Sequence, residues 1–181
     1  MLSEAEGKEL LGIARETLER DLLGKKYKVK VPKSGALNEK RGAFVTLNAK
    51  NGELRGCIGL MLSNSPLYET VSEMAHEAAF GDPRFKPVKK NELKDLLLEI
   101  SVLTLFKRVN DIKEIVLGRH GVMVRSGSRS GVFLPQVAVE TGWGLDEFMA
   151  NLCAGKAGLS PLAWKNGSAE LYTFEAEIVR E

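Results

Sequence analysis

The chain has 181 residues, of which 44% are hydrophobic and 28% charged, with a formal net charge of +2. That length and apolar content suit one domain with a real core and argue against a disordered chain. The near-neutral balance carries no bulk-charge signature of nucleic-acid binding, and two cysteines, Cys57 and Cys153, are too few for a disulfide framework and too far apart for a Cys-x-x-Cys zinc site. His76 and His120 have no metal-type spacing with each other or with a cysteine. The N-terminus is acidic with no apolar run, and no stretch approaches the ~20 apolar residues of a membrane span. The expectation is a cytoplasmic protein with both cysteines as free thiols.

The first predicted element is an amphipathic helix. Ser3 and Glu6 have capping-box spacing, Leu10, Ala14, Thr17 and Leu18 share a face, and Gly24 supplies a stop. Residues 25–41 carry Lys25, Lys26, Lys28, Lys30, Lys33, Lys40 and Arg41, interrupted by Pro32 and Gly35. They read as a loop or an edge strand whose lysines discourage sheet-to-sheet aggregation.

A hairpin comes next. Residues 43–48 alternate, Asn51-Gly52 is a strong turn signal, and Glu53 to Leu60 return. A two-residue loop sets Asn48 against Arg55, Leu47 against Gly56, Thr46 against Cys57 and Val45 against Ile58. Ala43, Val45, Leu47, Leu54, Ile58 and Leu60 then share an apolar face. Arg55, Cys57 and Gly59 fall on the other face with Phe44, Thr46 and Asn48. A bulge at Gly56 or Gly59 would disturb this register.

Ser65 is the expected N-cap of a second helix with Pro66 at its first position. Leu67, Val71, Met74, Ala75 and Ala78 form its buried stripe, and His76 lies on the surface side. Gly81 to Pro87 end it in a rigid loop. Leu97 to Phe106 read as a central strand covered on both faces. Gly121–Arg125 and Gly131–Leu134 read as paired strands. The Gly127–Gly131 segment between them lacks the ending of a phosphate-binding loop and reads as a hairpin turn. Asp146 to Leu159 predict a helix with Phe148, Met149, Leu152 and Cys153 inward. Trp143 and Trp164 beside it read as packing aromatics. Tyr172, Phe174, Ala176 and Ile178 predict the inward side of a closing strand. Hairpins without strand–helix–strand repeats give an α+β fold, mostly antiparallel, with flanking helices, as a single domain over 1–181.

Leu54-Arg55-Gly56-Cys57-Ile58-Gly59 resembles the signature hexapeptide of the AMMECR domain family. Gly42–Leu47, Ala79–Phe85, Glu99–Leu103, Phe133–Val137 and Lys156–Leu159 resemble further blocks of that family in the same order. The resemblance implies an α+β fold in two unequal lobes with the hexapeptide near a cleft between them. It also implies an association with Memo-like and radical SAM proteins. It implies no defined reaction, no cofactor and no catalytic residue.

The residues themselves support one chemistry. A cysteine reacts as its thiolate, which a nearby arginine favours. Cys57 lies between glycines that leave the backbone open to a ligand, two residues from Arg55. Asp82 and Arg84 sit in a post-helix loop, where binding groups gather. Cys57 as nucleophile, with Arg55, Asp82 and Arg84 around a small polar or anionic substrate, is therefore the candidate site of an enzyme or enzyme subunit. Cysteine catalysis usually also uses a histidine base, and neither histidine is placed for it. A packed, structural Cys57 is the plainer alternative. A second class of function is a non-catalytic adaptor recognising a partner protein, a modified peptide or RNA. Lys25 to Arg41 and the run Arg84, Lys86, Lys89, Lys90, Lys94 would supply the attraction. Cys153 reads as structural.

Overall fold

A computed structural model describes residues 1–25 and 29–181. Its elements in chain order are α1 (Glu4–Leu22), β1 (Ala43–Ala49), β2 (Leu54–Leu60), α2 (Leu67–His76), β3 (Leu96–Leu103), β4 (Lys107–Val109), β5 (Gly121–Ser126), β6 (Arg129–Phe133), α3 (Pro135–Thr141), α4 (Leu145–Asn151), β7 (Glu170–Phe174) and β8 (Ala176–Arg180). The fold is α+β. The chain divides into two compact units, Met1–Thr104 with Glu177–Glu181, and Leu105–Ala176.

Unit 1 is a four-stranded sheet in the order β2-β1-β3-β8. β1 runs antiparallel to both β2 and β3. α1 starts at the predicted capping box, in which the Ser3 hydroxyl accepts from the Glu6 N–H and the Glu6 carboxylate accepts from the Ser3 N–H. Gly24, at φ 65°, lies just past its end. α2 begins at Leu67 with Pro66 as N-cap, one residue later than predicted. Its stripe of Leu67, Val71, Met74, Ala75 and Ala78 is buried. These residues meet Leu10, Leu18, Val45, Leu47 and Ile100 in one core.

Three expectations in unit 1 are corrected. β3 is interior to the sheet but covered on one face only. Leu96, Leu98, Ile100 and Val102 are buried while Leu97 is exposed, and the strand stops at Leu103. The other face of this sheet, the open face, carries Leu97, Glu99 and Ser101. Leu54 and Leu60 are exposed rather than buried; they are the two end residues of β2, the outermost strand of the sheet. The lysine-rich segment forms a short 3₁₀ turn at Ala36–Asn38 and no strand among its described residues; Lys26 and Lys28 lie outside them. Arg41 is no surface cation. It is buried, donates to the Leu103 carbonyl and pairs with Glu177 at 2.7 Å. Burial opposes the Glu177 charge, but hydrogen bonds from Leu2 and Arg41 outweigh it and hold the carboxyl below its usual range.

Unit 2 is a second sheet, ordered β4-β7-β5-β6, with every strand pair antiparallel. β5 and β6 are joined by the predicted hairpin turn, with Gly127 at φ 59°. Phe148, Met149, Leu152 and Cys153 are fully buried, and Trp143 and Trp164 pack against them. Helix α3 was not predicted. Its signal is Leu134-Pro135, a proline at the first turn, closed by Gly142 at φ 69°. The closing strand is two strands in two sheets, broken at Glu175. Phe174 is buried as predicted, but the rest of the phase is not: Leu171 and Thr173 are buried where Tyr172 is only half-buried, and past the break Ile178 is exposed.

Candidate functional site

The β1–β2 hairpin positions the hexapeptide. Its loop has three residues, Lys50 to Gly52, because Ala49 N–H pairs with the Glu53 carbonyl and Gly52 adopts φ 87°. A bulge then absorbs the extra residue: Asn48 faces Leu54, whereas Leu47 faces Gly56. The predicted pairs Leu47/Gly56, Thr46/Cys57 and Val45/Ile58 are therefore observed, and Asn48/Arg55 is not. The bulge falls on Arg55 rather than on a glycine. Gly56 is glycine because the helix end lies on it. A β-carbon there would stand 2.1 Å from the Ala78 carbonyl oxygen. At Gly59 the Phe44 ring fills the equivalent space.

Cys57 is half-buried on the open face, and the Thr46 hydroxyl donates to its Sγ at 3.2 Å. Its backbone N–H and C=O point away from β1, along the free edge of the sheet. The loop after α2 meets both. A π-helical turn, Glu77–Gly81, carries the helix to Asp82. The buried Asp82 carboxylate accepts the Cys57 N–H at 2.9 Å, and Arg84 Nη2 donates to the Cys57 carbonyl at 3.1 Å. Arg84 also grips Asp82 through its backbone N–H, Nε and Nη2 at 2.7–3.1 Å. Cys57, Asp82 and Arg84 thus form one clamp. The Arg84 hydrogen bonds come first among the causes that hold the Asp82 carboxyl far below the usual carboxylate range, against the cost of its burial. Asp82 is 2% exposed, whereas the Arg84 side chain is 54% exposed and stacks over Phe85.

Arg55 is engaged elsewhere. Its Nε and Nη2 pair with Glu92 at 2.9 and 3.3 Å, and the same carboxylate accepts the Lys89 N–H. Arg55 Nη1 is buried with no hydrogen-bond partner among the described residues. Glu92 was missed from sequence, where nothing links it to a residue 37 positions earlier. His76 pairs with Asp21 at 2.8 Å, and His120 Nδ1 accepts the Val116 N–H in unit 2. Cys153 is fully buried, and burial pushes its thiol pKa up. Among the described residues no group of three or more His, Cys, Asp or Glu is arranged to hold a metal, and no helix is long and apolar enough to cross a membrane.

The family model described as AMMECR1 matches residues 11–179. The chain belongs to the AMMECR1 family. A protein of Methanopyrus kandleri is 45% identical to it over 99% of this chain and 90% of its own. One from Nanoarchaeum equitans is 39% identical over 95% of this chain and 98% of its own. The crystal structure of an uncharacterised Pyrococcus horikoshii protein matches with a TM-score of 0.75 and 40% identity, covering 95% of this chain and 89% of that one. The AMMECR1 match runs through both units, and the descriptions of these relatives carry no activity or substrate.

Proposed function

We propose that unit 1 of this AMMECR1-family protein acts on a small polar, anionic substrate, with Cys57 Sγ as nucleophile. The observation that supports this reading is the clamp, which fixes the backbone of a half-buried thiol and holds a half-exposed guanidinium beside it. Asp82 accepts one hydrogen bond from Cys57 and three from Arg84, and it stays ionised at neutral pH. It is therefore a positioning residue and not a proton acceptor. Arg84 is the anion-holding group. Arg55 Nη1 is a buried donor without an acceptor; such a group costs about 1–3 kcal/mol, so an acceptor supplied by a ligand would relieve it. The test compares iodoacetate with iodoacetamide at Cys57 in the folded Cys153→Ala protein. The anionic reagent should be favoured relative to free cysteine, and Arg84→Met should erase that preference. Labelling that appears only on unfolding would end the nucleophile reading.

The exposed lysines Lys86, Lys89, Lys90 and Lys94 favour a second reading, an adaptor for an acidic partner, because none has a carboxylate partner among the described ion pairs. Memo-like and radical SAM proteins are the partners the family resemblance suggests. Binding of such a partner, or of RNA, should weaken steeply with salt. A flat salt dependence would remove it.

A further inference from the structure

The outer edge of β6 in unit 2 is bare where that of β2 is capped. Ser126 pairs with Arg129 across a two-residue loop. Residues flanking such a loop exchange both backbone hydrogen bonds, so Arg125/Ser130 and Met123/Val132 are the non-bonded pairs. The N–H and C=O of Ser130 and Val132 therefore point away from β5. β6 is the outermost strand of its sheet, so no neighbouring strand meets them. Val132 follows Gly131 as Cys57 follows Gly56. At Cys57 the Asp82 carboxylate and the Arg84 guanidinium take both edge groups. At Ser130 and Val132 no group among the described residues does so. Ser130 is exposed and Val132 half-buried.

The edge is also sided and charged. Ser130 and Val132 face away from the helices, whereas Gly131 and Phe133 are buried against them. Lys156 stands on the helix side: a β-carbon on Gly131 would lie 2.7 Å from its Cβ, and its Nζ sits 5.8 Å over the Phe133 ring. By alternation Arg129 belongs to that side too, and it donates to the Gly158 carbonyl. Arg129 and Lys156 are exposed, and neither has a carboxylate partner among the described residues. The four strands of this sheet carry Lys107, Arg108, Arg125 and Arg129 against Glu170 alone. A second copy of the chain would bring the same cations to the edge, which opposes self-pairing.

We infer that β6 is a docking edge for an extended segment of a partner protein, one that alternates acidic and β-branched residues and adds to the sheet as a further strand. Its backbone exchanges hydrogen bonds with Ser130 and Val132. Its acidic side chains meet Arg129 and Lys156, and its β-branched ones lie beside Val132. The inference concerns unit 2 alone and is independent of Cys57.

The test titrates the full-length, nitrogen-15-labelled protein with the blocked peptide Ac-Glu-Val-Glu-Val-Glu-NH2 and with its neutral counterpart Ac-Gln-Val-Gln-Val-Gln-NH2. The Ser130 and Val132 amide protons should move downfield and exchange more slowly with solvent. The acidic peptide should bind about tenfold tighter than the neutral one, two exposed ion pairs at about threefold each. Val132→Pro removes an outward N–H and no bond of the sheet, so it should abolish binding of both peptides while the rest of the amide spectrum stays in place. Lys156→Glu, at an exposed position, should cancel the preference for the acidic peptide, and it decides the question if Val132→Pro does not fold. No shift at Ser130 and Val132 with millimolar peptide overturns the docking edge, as does binding that Val132→Pro leaves intact. An acidic preference that survives Lys156→Glu overturns the choice of partner. Concentration-dependent self-association through the same amides would make a second copy the occupant and would also overturn it.

Discussion

The two units solve one packing problem twice and then diverge. Each has a hairpin whose second strand, β2 or β6, is the outermost of its sheet. In each, a helix after the hairpin ends in a π-helical turn, Glu77–Gly81 or Leu152–Lys156. Each turn closes on a strand glycine. A β-carbon on Gly56 would lie 2.1 Å from the Ala78 oxygen, and one on Gly131 would lie 2.6 Å from the Ala157 nitrogen. Beyond the turn the two units do different things. In unit 2 the chain passes to Gly158, whose carbonyl accepts from the exposed Arg129. In unit 1 it passes to Asp82 and Arg84, which grip the strand edge at a cysteine. Unit 2 keeps its own cysteine, Cys153, inside the helix core. A shared closure thus serves as plain structure in one unit and carries a charged clamp beside a thiol in the other.

Mutations can break this comparison in order of expected effect. Asp82→Ala should cost about 3 kcal/mol in denaturant unfolding, because it orphans the Cys57 N–H and takes the partner from Arg84. No residue in unit 2 has an equivalent cost at its strand edge. Gly56→Ala and Gly131→Ala should each cost about 2 kcal/mol by overpacking, and near-equal values would support the shared closure. A harmless Gly56→Ala would end it. Cys153→Ser should cost about 1 kcal/mol for a hydroxyl in an apolar core, whereas Cys57→Ser should stay within about 0.5 kcal/mol.

The clamp also predicts a pH signature. The Asp82 pKa is lower folded than unfolded, so its contribution is complete above the unfolded value of about 4 and is lost as pH falls through the folded value. The stability gap between wild type and Asp82→Asn should therefore stay constant from about pH 8 to 5 and narrow below about 4. A gap that changes near neutrality would assign the effect to another group.

Much of this was legible in the residues. Capping signals, the helix stripes and the Thr46/Cys57 register are local, and periodicity reports them directly. The outer register survived only because a longer loop and a bulge at Arg55 offset each other, which no local rule specifies. Asp82 and Arg84 were legible as a loop pair, but their grip on the Cys57 backbone depends on where a π-helical turn delivers the loop. The Arg55–Glu92 and Arg41–Glu177 pairs join distant segments, so composition placed Arg41 on the surface although it is buried. The phase of β7 and β8 was misread because one alternating run feeds two sheets.

The most direct test of the central claim, that the clamp presents Cys57 as a reactive thiol, is native-state alkylation by iodoacetamide at neutral pH, with each cysteine followed by peptide mass spectrometry. The account predicts that Cys57 reacts in the folded protein faster than free cysteine, that Asp82→Asn removes the advantage, and that Cys153 stays protected until unfolding. Modification of Cys57 only at the rate of global unfolding, alongside Cys153, would contradict it.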